Sequence, residues 1–188
     1  MNTKTLFLVV ILTMTAVLLF ADNPAPAQFD VETEIKGINL MKITEKRLPV
    51  ELSSTEFLSA KPFIGPVTVG SDGQVEAFSA HLSTLSNNRK GYTVTMKATA
   101  MKSTIDDIDA YIDYRVYCGD PAGGTNTPHI TTNGPTSDPE EIEVIFVKKL
   151  KRLECRSEPI AIFINSTTFD AAVEGHYRGT VTFTYKAN

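Results

Sequence analysis

Tryptophan is absent from the 188 residues, and histidine and cysteine number only three and two. The lack of indole rings argues against a carbohydrate site built on tryptophan stacking. The histidines, His81, His129 and His176, are scattered, and none stands two or four residues from another ligand in a metal-binding spacing. There is no phosphate-cradling glycine loop, no G-x-S-x-G elbow and no G-x-G-x-x-G turn. The densest acidic cluster, Asp106, Asp107, Asp109 and Asp113, lacks the glycine and the terminal glutamate of a calcium-binding loop and reads as a solvated turn. With no convergent polar set to carry a reaction, the sequence indicates no enzyme, no catalytic residue, no cofactor and no metal. A net charge of −4 argues against nucleic acid or an anionic membrane as partner. The short basic run of Lys148, Lys149, Lys151 and Arg152 reads as a solvated strand end.

Long apolar runs are missing too, except at the start. Lys4 precedes the apolar stretch Leu6–Phe20, and Ala25-Pro26-Ala27 supplies the small-x-small pattern of a cleavage site. The run is shorter than the roughly 20 residues that span a bilayer. Residues 1–27 therefore read as a signal peptide cleaved after Ala27, with the chain exported. Residues 28–188 suit a single domain. In an exported chain an even number of cysteines usually pairs, so Cys118 and Cys155 are expected to form a disulfide. Closing that loop stabilises by about 4 kcal/mol in the chain-entropy model.

What is present is two-residue periodicity. In Gln28–Ile35, Phe29, Val31, Thr33 and Ile35 alternate with Asp30, Glu32 and Glu34, the signature of a strand with one dry and one wet face. Further strands are expected at Ile38–Ile43, Leu48–Leu52, Val67–Val69, Val75–Leu85, Tyr92–Ala100, Tyr111–Tyr117, Ile142–Val147, Ile160–Ile164 and Tyr177–Tyr185. Ser71-Asp72-Gly73 is a turn, and Asp120–Pro139, rich in proline and glycine, is an exposed loop. No amphipathic helix longer than about ten residues is apparent. Many short strands between turn signals give an all-β fold, a sandwich or a barrel.

Both ends of the chain and one mid-chain stretch carry a resemblance. Gly175-His176-Tyr177-Arg178-Gly179-Thr180-Val181-Thr182-Phe183-Thr184-Tyr185 resembles the closing strand of chaperone–usher pilins, with its Gly-x-Tyr-x-Gly-x-Val start and aromatic finish. Phe29–Met41 is similar to the N-terminus of the alternate chaperone–usher family, the colonization-factor-antigen class, and so is Ala80–Thr95 with its Asn87-Asn88-Arg89-Lys90-Gly91 turn.

The resemblance implies an immunoglobulin-like β-sandwich, residues 37–188, that lacks its last strand. It also implies a donor strand, residues 28–36, that fills the groove of a neighbouring subunit. Phe29, Val31, Thr33 and Ile35 match the donor positions. Gly175, Tyr177, Gly179, Val181, Phe183 and Tyr185 match the strand that borders the groove and meets chaperone or subunit. The implied partners are a periplasmic chaperone, an outer-membrane usher, neighbouring pilin subunits and a host-cell glycan or protein receptor. The implied place is a fimbrium on a bacterial surface, reached through the periplasm, where the sequon Asn165-Ser166-Thr167 carries no sugar. Single-domain length argues against a two-domain tip adhesin. The competing expectation is a secreted, complete β-sandwich that binds a ligand or glycan as a monomer.

Overall fold

Tyr92, Val94, Met96 and Ala98 alternate with Thr93, Thr95 and Lys97, and the first set is buried while the second is half-covered. That strand, β3 (Tyr92–Ala98), is the centre of a three-stranded antiparallel sheet. Its neighbours are β8 (Glu141–Val147) and β10 (Val181–Ala187). The computed structural model describes residues 32–76, 78–122, 127–136 and 138–188. A second antiparallel sheet has five strands in the order β1 (Asn39–Thr44), β2 (Ala80–Ser86), β9 (Glu154–Ile164), β6 (Tyr114–Cys118) and β7 (His129–Thr131). A hairpin of β4 (Met101–Ile105) and β5 (Ile108–Ile112) completes the strands. The fold is all-β and antiparallel, with two short helices, α1 (Ser54–Ser59) and α2 (Ser166–Asp170).

The two larger sheets share one apolar cluster. Leu82, Val116 and Ile160 enter it from the five-stranded sheet, and Val94, Met96, Ile145 and Val147 from the other. Burying side chains of this size contributes about 1.5–3 kcal/mol each. The outer face of the five-stranded sheet has its own cover. There Leu85 and Cys155 lie under Phe57 of α1, with Leu48 and Leu52 packed alongside. Ser53 and Glu56 hold α1 in place by a capping box: Ser53 Oγ accepts from the Glu56 backbone at 3.2 Å, and Glu56 Oε2 accepts from the Ser53 backbone at 2.8 Å.

Several expectations need correction. Leu48–Leu52 is no strand; its leucines are spent under Phe57. The expected strand Tyr111–Tyr117 is broken at Asp113. The Asp113 backbone N–H donates to Thr168 Oγ1 at 2.9 Å and its carbonyl accepts from Asn165, so the chain passes there from the hairpin into the five-stranded sheet. The strand expected to begin at Ile160 begins at Glu154, with Pro159 inside it. Proline is tolerated because β6 ends at Cys118. Beyond it Gly119 N–H donates to the Pro159 carbonyl at 2.8 Å, and only the reciprocal bond is lost. Asp120–Pro139 contains β7 along with loop. The acidic cluster is dispersed: Asp106 and Asp107, with φ of 49° and 62°, form the two-residue turn between β4 and β5, and Asp109 pairs with Lys102 at 2.8 Å. The carboxylate of Asp113 accepts from the Gly134 backbone at 2.8 Å.

The disulfide is also corrected. Both cysteines are free and buried. Cys118 stands opposite Ile160, and Cys155 lies five residues back along β9, roughly 16 Å away at strand spacing. A disulfide tolerates a Cα separation of about 7 Å at most. An odd separation on one strand also sends the two thiols to opposite faces of the sheet: Cys118 joins the inter-sheet cluster and Cys155 lies under Phe57.

The chain divides into two units, Met1–Ile35 and Lys36–Asn188. The signal segment 1–27, Phe29 and Val31 lie outside the described residues. Of the expected donor strand, Glu32–Ile35 are described. They are assigned to no strand, and Thr33 and Ile35 are exposed.

Candidate functional site: an apolar groove along the last strand

Burial drops sharply between β3 and β10. In register, Val181 faces Ala98, Phe183 faces Met96 and Tyr185 faces Val94. The three β3 residues are at most 4% exposed, whereas the three β10 residues are only half-buried. β10 is an edge of its sheet, with a neighbouring strand on one side only among the described residues. Thr180 and Asn188, which flank β10, bond to the residues that flank β3, Thr99 N–H to Thr180 O at 3.0 Å and Asn188 N–H to Gly91 O at 3.1 Å. Even-numbered residues of β10 therefore turn their backbone groups toward β3. Those of Val181, Phe183 and Tyr185 point away from it, and no described residue pairs with them.

The outer edge of β1 is similar. Ile43 O accepts from Phe63 N–H at 3.0 Å and Glu45 N–H donates to Lys61 O, so odd-numbered residues face outward. Asn39 and Met41 follow the same parity and find no backbone partner among the described residues.

A cavity of about 760 Å³ opens along this boundary. Its floor is Met101, Ile112, Tyr114, Ile160, Ile162 and Ile164. One wall is Ile43 with Phe63 and Phe78, whose rings meet edge-to-face at 5.3 Å. The other wall is the chain from Gly175 to Phe183. Gly179 is needed here: a Cβ at that position would come within 2.8 Å of the Thr99 carbonyl and 3.2 Å of the Tyr114 ring. Tyr185 sits beyond the other end of this wall. It stacks on Tyr92 at 4.9 Å, and its hydroxyl reaches Asn39 Oδ1 and Ser86 Oγ.

Of the residues expected from sequence, Gly175, Tyr177, Gly179, Val181 and Phe183 are brought together on one wall. Tyr177 is anchored by a hydrogen bond from its hydroxyl to Val173 O at 2.9 Å. Thr33 and Ile35 belong to the other unit. The floor was not anticipated, although the alternation of Ile160, Ile162 and Ile164 signalled a dry face. The opposite wall was not anticipated: Phe63 lies in irregular chain, and Phe78, inside the expected strand Val75–Leu85, lies ahead of β2, which begins only at Ala80.

The lining of the groove is mainly apolar, with His176 and Arg178 among it. Burial pushes the Tyr114 phenol up to about 12, and desolvation likewise raises Tyr185. Among the described residues no group of three or more His, Cys, Asp or Glu side chains is placed to hold a metal ion. An extended segment with apolar residues at alternate positions would fill the cavity and pair with the open backbone of β10. No protein-family model and no curated protein matches the chain.

Proposed function

We propose that the chain is a structural subunit of an adhesive bacterial fibre, polymerising by strand donation after chaperone–usher export. Its body is an immunoglobulin-like sandwich short of one strand, and its N-terminal segment completes the neighbouring subunit. The observation that carries this reading is the half-buried β10, with its outward backbone groups unpaired among the described residues and an apolar cavity beside it.

Strand order supports it. An immunoglobulin-type fold sets strands A, B, E and D in one sheet against C, F and G in the other. β1, β2, β9 and β6 stand in the order A, B, E, D, and β3 and β10 stand as C and F. The place of G, beside β10, holds no strand among the described residues. A strand added there gains affinity from backbone bonds and register from alternate side chains. Phe29, Val31 and Ile35, once buried, contribute about 1.5–3 kcal/mol each. An open sheet edge over an apolar cavity also calls for a chaperone before assembly.

The test is production of the full chain with its genomic neighbours, followed by inspection of the cell surface. Fibres containing the chain are expected, and Val31→Asp, which would bury an unpaired carboxylate, should abolish them. Accumulation of wild-type chain as a soluble monomer without any chaperone would favour a complete, stand-alone binding domain instead.

A further inference from the structure

Two runs of charge stand apart from the groove, at opposite ends of the body Lys36–Asn188. The basic run gathers where β3 begins. Tyr92 pairs with Val147 and Ser86 with Glu154, so the turn at residues 87–91 and the loop at 148–153 lie at the same end. They meet at Gly91, whose φ is 83°: a Cβ there would collide with the Val147 carbonyl. Asn88 fixes the turn, its Oδ1 accepting from Lys90 N–H at 3.1 Å and its amide donating to Gly91 O at 2.8 Å. Arg89, Lys90, Lys148, Lys149 and Lys151 are exposed and pair with no carboxylate among the described residues, while Arg152 is taken by Glu51 at 2.7 Å. Val50, whose carbonyl accepts from Cys155 N–H, is 54% exposed at this end.

The acidic run lies past the other end of β3. Ala98 pairs with Val181, and β4 carries the line on by a bridge from Lys102 to Arg178, so the tip of the β4–β5 hairpin stands beyond the start of β10. Met101, Ser103 and Ile105 share a face with their partners Ile112, Ala110 and Ile108. That face begins on the cavity floor, at Met101 and Ile112, and outlasts the body: Ile105 and Ile108 are 49% and 70% exposed. Between them Asp106 and Asp107 are exposed and unpaired with any cation among the described residues. Lys102 and Lys97, the nearby lysines of β4 and β3, are already taken by Asp109 and Glu141.

We propose that copies of this chain dock end to end in one polarity, with the hairpin tip of one copy, Ile105 to Ile108, seated against the basic end of the next at Lys90, Lys148 and Lys149. Exposed charge pairs alone contribute little; here they flank an apolar contact of Ile105 and Ile108 with Val50. A contact between two different ends repeats into an open fibre. This inference rests on the strand-donation reading for which ends meet, and adds a contact between bodies that donation does not require. A strand added antiparallel to β10 leaves the groove at the Val181 end, beside the hairpin. The body that owns that strand begins at Ile38, whose N–H donates to Asn87 Oδ1 at 2.7 Å, next to the basic turn. Donation therefore carries the basic end of one copy to the hairpin of the other.

The experiment places the photo-crosslinker benzoylphenylalanine at Ile108 in the full chain, produced with its genomic neighbours, and irradiates the fibres. Mass spectrometry should find Ile108 joined to the peptides holding Lys90 or Lys148 of another copy. Asp106→Asn with Asp107→Asn keeps the turn, since asparagine tolerates its left-handed backbone, and should lower the yield about fivefold at low salt. Lys148→Glu with Lys149→Glu should lower it at least as much, and adding Asp106→Lys with Asp107→Lys to that variant should restore it. The wild-type yield should also fall near 1 M salt, where charges are screened within a few ångströms. Melting curves check that each variant is folded. Crosslinks to another face of the chain or to another protein, or yields unmoved by the charge variants in intact fibres, overturn the end-to-end contact and leave strand donation standing. Absence of fibres containing the wild-type chain overturns the donation reading and this inference with it.

Discussion

The hydroxyl of Tyr185 donates to Asn39 Oδ1 at 2.7 Å, tying the last strand of one sheet to the first strand of the other. The same oxygen lies 3.2 Å from Ser86 Oγ, and the ring stacks on Tyr92, whose own hydroxyl is 2.8 Å from Thr84 Oγ1. The sheets are thus joined by polar contacts at this end, while the chain from Gly175 to Phe183 borders the cavity. Tyr185→Phe removes the tie and keeps the stacking. A net hydrogen bond is worth about 0.5–1.5 kcal/mol, and this one is partly exposed, so a loss of about 0.5–1 kcal/mol is expected in denaturant titration. No change in stability would show that the ends are held by stacking alone.

The thiols give a second test. Burial pushes Cys118 up to about 12, with Glu158 adding to the effect, and Cys155 up to about 11. The thiolate is the reactive form, so folded protein should resist alkylation at pH 8. Denatured, unreduced protein should take up two labels. Absence of free thiol after denaturation would mean that Cys118 and Cys155 are joined, and would contradict the register of β6 on β9.

His81 makes stability depend on pH. Its Nδ1 is buried without a hydrogen-bond partner among the described residues. Desolvation lowers its pKa below 6.5, Arg47 lowers it further, and Glu158 opposes them. The unfolded chain therefore binds the proton more readily than the folded one. This penalty is absent well above pH 6.5 and grows as the pH falls through 6.5 toward the folded value. Melting temperature should drop between pH 8 and pH 5 by more in the wild type than in His81→Gln. Equal drops would assign the pH dependence to other groups.

Sequence period revealed the strands whose two faces differ, and the structure shows where that signal ends. β3 was legible because alternate residues meet the core; in β8 the alternation is broken, since a register shift sets Val144 and Ile145, neighbours in sequence, both against the apolar cluster. The break at Asp113 was not, because it depends on bonds to Asn165, Thr168 and Gly134, which are remote in sequence. Pro159 concealed the first half of β9, since its tolerance depends on where β6 stops. The disulfide failed for the same kind of reason: cysteine parity is a compositional fact, and register decides which face each thiol meets. One wall of the groove, Gly175 to Phe183, was legible as a motif. The other wall was not, since Phe63 and Phe78 acquire their role only through packing.

Strand donation itself is tested most directly by a graft. β10 ends beside Gly91, where Asn188 N–H donates to its carbonyl at 3.1 Å. A short turn after Asn188 would return a strand along the open edge of β10. Residues 28–36 are deleted from the start and placed after Asn188 through a flexible linker of about four residues, and melting is compared with the deletion alone. The account predicts a monomer that melts well above the deletion, with Val181 and Phe183 amides newly protected from hydrogen exchange. A graft that melts no higher than the deletion, with those amides still exchanging freely, would contradict it.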